Sequence, residues 1–249
     1  MATAKFFIHS DLKIFLADES ENEFVSMDFR GHETIKHLIE SLGIPHPEVD
    51  VILVNGVSVD FNWHPMNGDK IFVFPKIDNW SSLEVNRLQP DINGKPTFAL
   101  DGHLGKLAGY LRLLGFDTKY KNEIKDDELA EISSKENRIL LTRDRGLLKR
   151  TIVKSGYYVR SIKPRKQTKE VLEKFSLEKY AEPFSRCVNC NGCLVPVSKD
   201  QVYTRLEPKT KQFYDDFRIC RECQQIYWKG SHFKKMEQFI EGLLGDEGI

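Results

Sequence analysis

No segment of the 249-residue chain stays apolar for the ~20 residues that a membrane-spanning helix needs. The N-terminus also lacks the basic stretch and apolar block of a secretory signal. The sequence therefore excludes a membrane partner, and a cytoplasmic location is expected. There is no net charge, since 37 Lys and Arg balance 37 Asp and Glu. No internal repeat and no low-complexity tract is visible, which sets aside a repeat array. Cysteine is scarce, at five residues, and those five stand in close groups. That pattern suits metal ligands in a reducing compartment and not a disulfide framework. His32, His37, His46 and His64 have no metal-like spacing and read as surface or packing residues.

What is present begins with a split of charge. Residues 1–90 carry 7 Lys and Arg against 14 Asp and Glu, and residues 91–249 carry 30 against 23, so the two parts stand at −7 and +7. Two domains of opposite sign follow, and 40% hydrophobic content is enough to give each a core. From Arg138 to Lys169 there are 11 basic residues and one acid, Asp144. A polyanion is drawn to such a face.

The stretch Phe98 to Asp144 organises the rest. Phe98-Ala99-Leu100 is an apolar run stopped by Asp101. From His103 to Leu114, leucines 104, 107, 111 and 114 with Ala108 recur at helical spacing. Phe116 to Tyr120 reads as a second strand, and Asp126-Asp127-Glu128 opens a helix through Ile132. Arg138 to Thr142 reads as a third strand, ending at Asp144. Gly146 to Val153 reads as a short basic helix, Tyr157 to Ile162 as a fourth strand and Gln167 to Phe175 as a helix. Alternating strands and helices imply right-handed crossovers in a parallel sheet. Ligands of such sheets gather beyond the carboxyl ends of the strands. Asp101, Asp126, Asp127 and Asp144 fall at or near that edge. Carboxylates crowded together repel unless cations share them, and oxygen donors without imidazole suit Mg²⁺ or Mn²⁺. Taken singly, each acid also reads as a helix cap or a macrodipole partner.

Residues before this stretch have another pattern. Lys5 to Leu16 and Glu23 to Phe29 read as a strand pair, and Glu33 to Leu42 as a helix ended by Gly43. Val49 to Val54, Asn55-Gly56 and Val57 to Phe61 form a hairpin signal, followed by Ile71 to Phe74. This describes a β-grasp unit. Its wording, VILVNGVSVDFNWHPMNGDKIFVFP, resembles the ubiquitin-like sulfur carriers of the ThiS/MoaD type. Such carriers end in a free Gly-Gly, whereas this chain continues as PKIDNWSS, so a binding or accessory role toward a protein partner is expected instead. The polar, turn-rich residues after it read as a linker.

Two cysteine knuckles close the pattern. Cys187-x₂-Cys190 and Cys220-x₂-Cys223 have the spacing of a tetrahedral structural zinc site. Cys193 stands at the same interval and admits an iron–sulfur alternative. Trp228, Lys229 and His232 follow the second knuckle, in a mixture of aromatic and basic groups suited to single-stranded nucleic acid or to packing on the ribbon. Lys106 and Arg112 on the first central helix are placed to reach a phosphate or to be solvated.

Together, LDGHLGKLAGYLRLLGFDT, DDELAEIS, RILLTRDRGLLKR, SRCVNCNGCL and IYWKGSH resemble the RNase family named for the C-terminal domain of the Mut-seven exonuclease, from about Phe98 to Met236. The resemblance implies an α/β fold: a PIN-like parallel-sheet nuclease domain at 96–180, a zinc ribbon at 181–240, and a ubiquitin-like β-grasp domain at 1–78 joined by a linker at 79–95. It implies RNA as substrate, a catalytic Mg or Mn ion and a structural Zn ion. Asp101, Asp127 with Asp126, and Asp144 are the acids implied, with Thr142 in support. RNA-binding candidates are Lys106, Arg112, Arg143, Arg145, Lys149, Arg150, Trp228, Lys229 and His232. Where wider PIN proteins carry a fourth acid, Arg160 stands. The alternative is a non-catalytic RNA-binding adaptor that grips through its basic segment and ribbon.

Overall fold

The computed structural model describes residues 1–17, 23–77, 85–92 and 94–245, without the side chains of Ser231 and His232. Part of the expected linker, 79–84 and residue 93, lies outside these residues. Along the chain run β1 (Ala2–Ile8), β2 (Val25–Phe29), α1 (Ile35–Ser41), β3 (Val51–Val54), β4 (Val57–Val59) and β5 (Lys70–Phe74). There follow β6 (Phe98–Leu100), α2 (Gly105–Leu113), β7 (Thr118–Tyr120), α3 (Asp126–Lys135), β8 (Ile139–Thr142), α4 (Arg145–Leu148), β9 (Gly156–Tyr158) and α5 (Pro164–Phe175). The last part holds β10 (Leu194–Val197), α6 (Lys199–Val202), α7 (Pro208–Phe213), β11 (Phe217–Cys220), β12 (Ile226–Trp228) and α8 (Ser231–Leu244). The chain packs as two compact units, Met1–Ile92 with Lys125–Tyr158, and Asn93–Ile124 with Val159–Ile249.

The first unit is built on a five-stranded sheet of order β2-β1-β5-β3-β4, with β1 and β5 parallel at its centre and the other pairs antiparallel. α1 starts at Thr34, whose side chain accepts from the His37 N–H. It lays Ile35, Leu38 and Ile39 into a core with Phe6, Ile8, Ile52, Ile71 and Val73. Asn55 and Gly56, at φ of 50° and 87°, make the tight turn between β3 and β4. The expected strand Lys5 to Leu16 is shorter. Ser10–Phe15 forms a 3₁₀ helix, in which the His9 ring accepts from the Asp11 N–H and Leu12 and Phe15, three apart, turn inward together. Residues 86–89 lie along this unit: Arg87 pairs with buried Asp50 at 2.6 Å, and the Gln89 side-chain amide donates to the His46 and Val49 carbonyls.

Within the same unit, Lys125–Tyr158 adds α3, β8, α4 and β9, with β8 and β9 parallel. All of Ile139–Thr142 is buried. Tyr158 packs against the β-grasp core, its ring edge-on to Phe15 at 5.5 Å.

The second unit holds the parallel pair β6 and β7. Phe98, Ala99 and Leu100 are fully buried, and Phe98 meets Phe116 and Phe175 edge-on at 6.0 Å each, which joins strand, following segment and α5. Its second sheet is the antiparallel meander β10-β11-β12, with Val202, Leu206, Phe217 and Ile226 as its small core. α8 follows, and its Phe239 lies 4.5 Å from Tyr110 of α2. The mixed α/β class and its parallel strands agree with the sequence reading.

Candidate metal centre

The two knuckles are built alike. In the first, Cys187 N–H donates to the Gly192 carbonyl at 2.8 Å, and Asn191 N–H to the Cys187 carbonyl at 2.9 Å. In the second, Cys220 N–H donates to the Gln225 carbonyl at 2.9 Å, and Gln224 N–H to the Cys220 carbonyl at 3.1 Å. Each loop turns back through a left-handed residue one place after its second cysteine, Asn191 at φ 74° and Gln224 at φ 61°. β11 delivers Cys220, and its pairing with β10 (Leu194 opposite Cys220) brings the second knuckle to the first.

The result is a group of four sulfur atoms, Cys187, Cys190, Cys220 and Cys223, all within 4.8 Å of one another. Cys187 and Cys223 stand 3.6 Å apart, and Cys190 and Cys220 3.3 Å. A tetrahedron with Zn–S bonds of about 2.3 Å needs sulfurs about 3.8 Å apart, so the donor set fits a divalent ion of that kind. Cys190 Sγ faces the Gly192 N–H at 3.5 Å, a contact that favours its thiolate, and Cys187 Sγ faces the Cys190 N–H at 3.5 Å. A Cβ on Gly192 would lie 2.7 Å from Cys220 Sγ, so only glycine permits this approach. Cys193 is exposed and is not in the group.

Around the sulfurs stands a shell that the sequence did not reveal. Tyr227 Oη lies 3.0 Å from Cys187 Sγ, and burial, with the sulfur beside it, pushes the phenol upward. Arg112 is a correction to the sequence reading. It is 5% exposed, and its guanidinium donates to the carbonyls of Thr118 (3.0 Å), Val188 (3.1 Å) and Asn189 (2.9 Å). A guanidinium committed to three carbonyls inside the protein does not reach a phosphate. Burial pushes its pKa down, and Cys190 and Cys187 oppose that shift. Asn191 completes the shell: its Nδ2 donates to Asp117 at 2.8 Å and its Oδ1 accepts from the Thr118 N–H at 3.0 Å.

The acids are placed as follows. Asp101 follows β6 and is half-buried. Asp126 and Asp127 open α3 and are exposed, and Asp127 is paired with Arg150. Asp144 follows β8 and caps α4: Oδ1 accepts from the Gly146 N–H at 2.6 Å and the Leu147 N–H at 3.3 Å. Its own N–H donates to Thr142 Oγ1 at 2.9 Å. Among the described residues its Oδ2 has no partner, so the cap leaves one oxygen facing solvent. An acid the sequence reading passed over is Glu170, ten residues beyond Arg160. It accepts from the Arg160 N–H at 2.6 Å and the Ser161 N–H at 2.8 Å.

Of the RNA-binding candidates, Lys106, Trp228 and Lys229 are exposed. Arg143 lies over the Tyr158 ring at 5.9 Å. Arg145 and Lys149 both donate to carbonyls of the β-grasp: Arg145 to Ile14 and Phe15, Lys149 to Glu40. The His232 side chain lies outside the described residues.

The Mut7-C RNAse domain model matches residues 96–240, and the Mut7-C ubiquitin model residues 1–81. The chain belongs to the Mut7-C RNAse domain family. No curated protein matches it. Among solved structures it is similar to SAMP1 from Haloferax volcanii, at 16% identity over 31% of this chain and 99% of that one, with a TM-score of 0.25. A second structure of small archaeal modifier protein 1 from H. volcanii has 18% identity, coverage of 31% and 100%, and the same TM-score. No helix among the described residues is long and apolar enough to cross a membrane.

Proposed function

We propose that this Mut7-C protein is a metal-dependent ribonuclease. The observation that carries the reading is Asp144, which lies at the carboxyl end of a parallel strand with one oxygen spent on a helix cap and the other open. Asp101 and Asp127, with Asp126 beside it, are the other carboxylates we assign to the ion. Oxygen donors of this kind suit Mg²⁺ or Mn²⁺, which supply a more acidic water and charge neutralisation at a phosphodiester. The chain itself contributes a carboxylate held in one rotamer: Thr142 Oγ1 fixes its backbone, and the first turn of α4 fixes Oδ1. Arg150, paired with Asp127, keeps a cation at that acid for an incoming phosphate. The four thiols leave no open position on a tetrahedral ion, so zinc there holds structure. Exposed Lys106, Trp228 and Lys229 remain as contacts to RNA.

The test is cleavage of single-stranded and structured RNA by the zinc-loaded chain, with and without Mn²⁺. Asparagine caps helices about as well as aspartate, so Asp144→Asn removes charge and keeps the fold. It is expected to slow cleavage on the order of 100-fold or more, the scale of losing a group that stabilises transition-state charge. Cleavage that survives both Asp101→Asn and Asp144→Asn sinks the assignment. The Asp127–Arg150 pair favours a second reading, an RNA-binding adaptor, because it occupies an acid that the metal needs. Salt-sensitive binding without product fragments selects that reading.

A further inference from the structure

α4 is a single turn of four residues, too short to hold its own conformation, so what grips it decides where Asp144 sits. Leu147 and Leu148 anchor it from beneath, at 1% and 0% exposure. Two cations, Arg145 at its first position and Lys149 just after its last, reach the β-grasp. Arg145 Nη1 donates to the Phe15 carbonyl at 3.0 Å and Nη2 to the Ile14 carbonyl at 2.9 Å, with the guanidinium 5.3 Å over the Phe15 ring. Lys149 Nζ donates to the Glu40 carbonyl at 2.6 Å. Beyond α4, the His46 ring meets the Val153 carbonyl at 2.8 Å, and the Tyr158 N–H donates to Glu48 at 2.6 Å. The acceptors of Arg145 and Lys149 are backbone carbonyls at the ends of the 3₁₀ turn and of α1, and His46 and Glu48 are buried, so these partners move only if the β-grasp moves.

We propose that the ubiquitin-like unit is a brace for Asp144, and that Arg145 and Lys149 are positioning residues which hold the Asp144 turn through it. The functional half of this rests on the nuclease reading; the mechanical half does not. A guanidinium fixed by two carbonyls and two aromatic rings, Phe15 and Tyr158, is a strut. Were these residues phosphate ligands, they would instead set affinity for RNA and its salt dependence.

The experiment uses the full, zinc-loaded chain as wild type, Arg145→Met, Arg145→Lys and Lys149→Met. Native-state amide exchange is read at Gly146 and Leu147, the donors to Asp144, with β11 and β12 as internal reference. Arg145→Met is expected to speed exchange at those two amides by about tenfold or more and to leave the reference unchanged, with partial recovery in Arg145→Lys. In RNA cleavage it is expected to lower kcat and raise the Mn²⁺ concentration for half-activity, with KM within about twofold. Should Arg145→Met fail to fold, Lys149→Met removes one tie alone and is read in the same way. Unchanged exchange at Gly146 and Leu147 overturns the brace. So does a raised KM with kcat intact, which is the signature of a phosphate ligand. A chain that cuts no RNA but shows the exchange response removes the nuclease reading and leaves the brace standing.

Discussion

Arg112 and Asn189 meet at 2.9 Å, a guanidinium nitrogen of α2 donating to a carbonyl between the first two cysteines of the chain. This buried, charge-assisted contact, with its companion to Val188, makes the first knuckle part of the α/β packing around α2. Arg112→Met leaves three carbonyls without their donor. The expected loss is about 2–4 kcal/mol of stability, read from urea unfolding, together with weaker zinc retention against a chelator. Zinc retention equal to that of wild type would show that the knuckle stands without α2.

Four thiolates repel one another unless a cation joins them, so ribbon folding should follow the metal. One zinc per chain is expected by elemental analysis. Cys193→Ser keeps it, whereas Cys220→Ser loses it and opens the segment between the knuckles to protease. Iron with sulfide would refute the zinc assignment.

The two left-handed residues differ in what their side chains hold. Among the described residues the Gln224 side chain bonds only to the Arg221 carbonyl, three positions earlier, while Asn191 ties the knuckle to Asp117 and Thr118. Gln224→Gly, free of the Cβ clash at positive φ, should change the melting midpoint little or raise it. Asn191→Gly should cost about 1–2 kcal/mol, because its bonds are lost. Equal effects of the two would contradict the shell described around the sulfurs.

Glu33 accepts from the backbone N–H groups of Arg30 and His32, and the Arg30 bond above all holds its pKa down at about 2, from an ordinary 4.5. A depressed carboxyl contributes stability that is present above the unfolded value and is lost as pH falls through the folded one. Glu33→Gln should therefore flatten the fall in thermal midpoint between pH 4.5 and 2. An unaltered acid profile would reject this.

Features with local causes were legible in the sequence. Asn55-Gly56 needs positive φ, and each Cys-x₂-Cys needs a tight turn, so both showed in a few residues. What needed the fold was direction. Arg112 sits on a helix like any solvated arginine, and two of its three acceptors lie 76 and 77 residues later. The Arg138 to Lys169 segment read as one basic face, but Arg145 and Lys149 turn to carbonyls more than a hundred residues earlier. α8 was not anticipated, because Phe233, Met236 and Phe239 are interleaved with lysines that made the stretch look like an RNA contact.

The first unit draws its parts from both ends of a gap, with residues 93–124 belonging to the other unit. That has a consequence for the order of events on the ribosome. The β-grasp sheet is complete once Phe74 has emerged, but the carbonyls of Ile14, Phe15 and Glu40 and the ring of Phe15 meet their partners only after Tyr158. At roughly 5–20 residues per second the delay from Phe74 is about 4–17 s. For that interval the nascent chain presents a folded domain with one apolar, acceptor-rich side uncovered, and it is there that a chaperone would first find it.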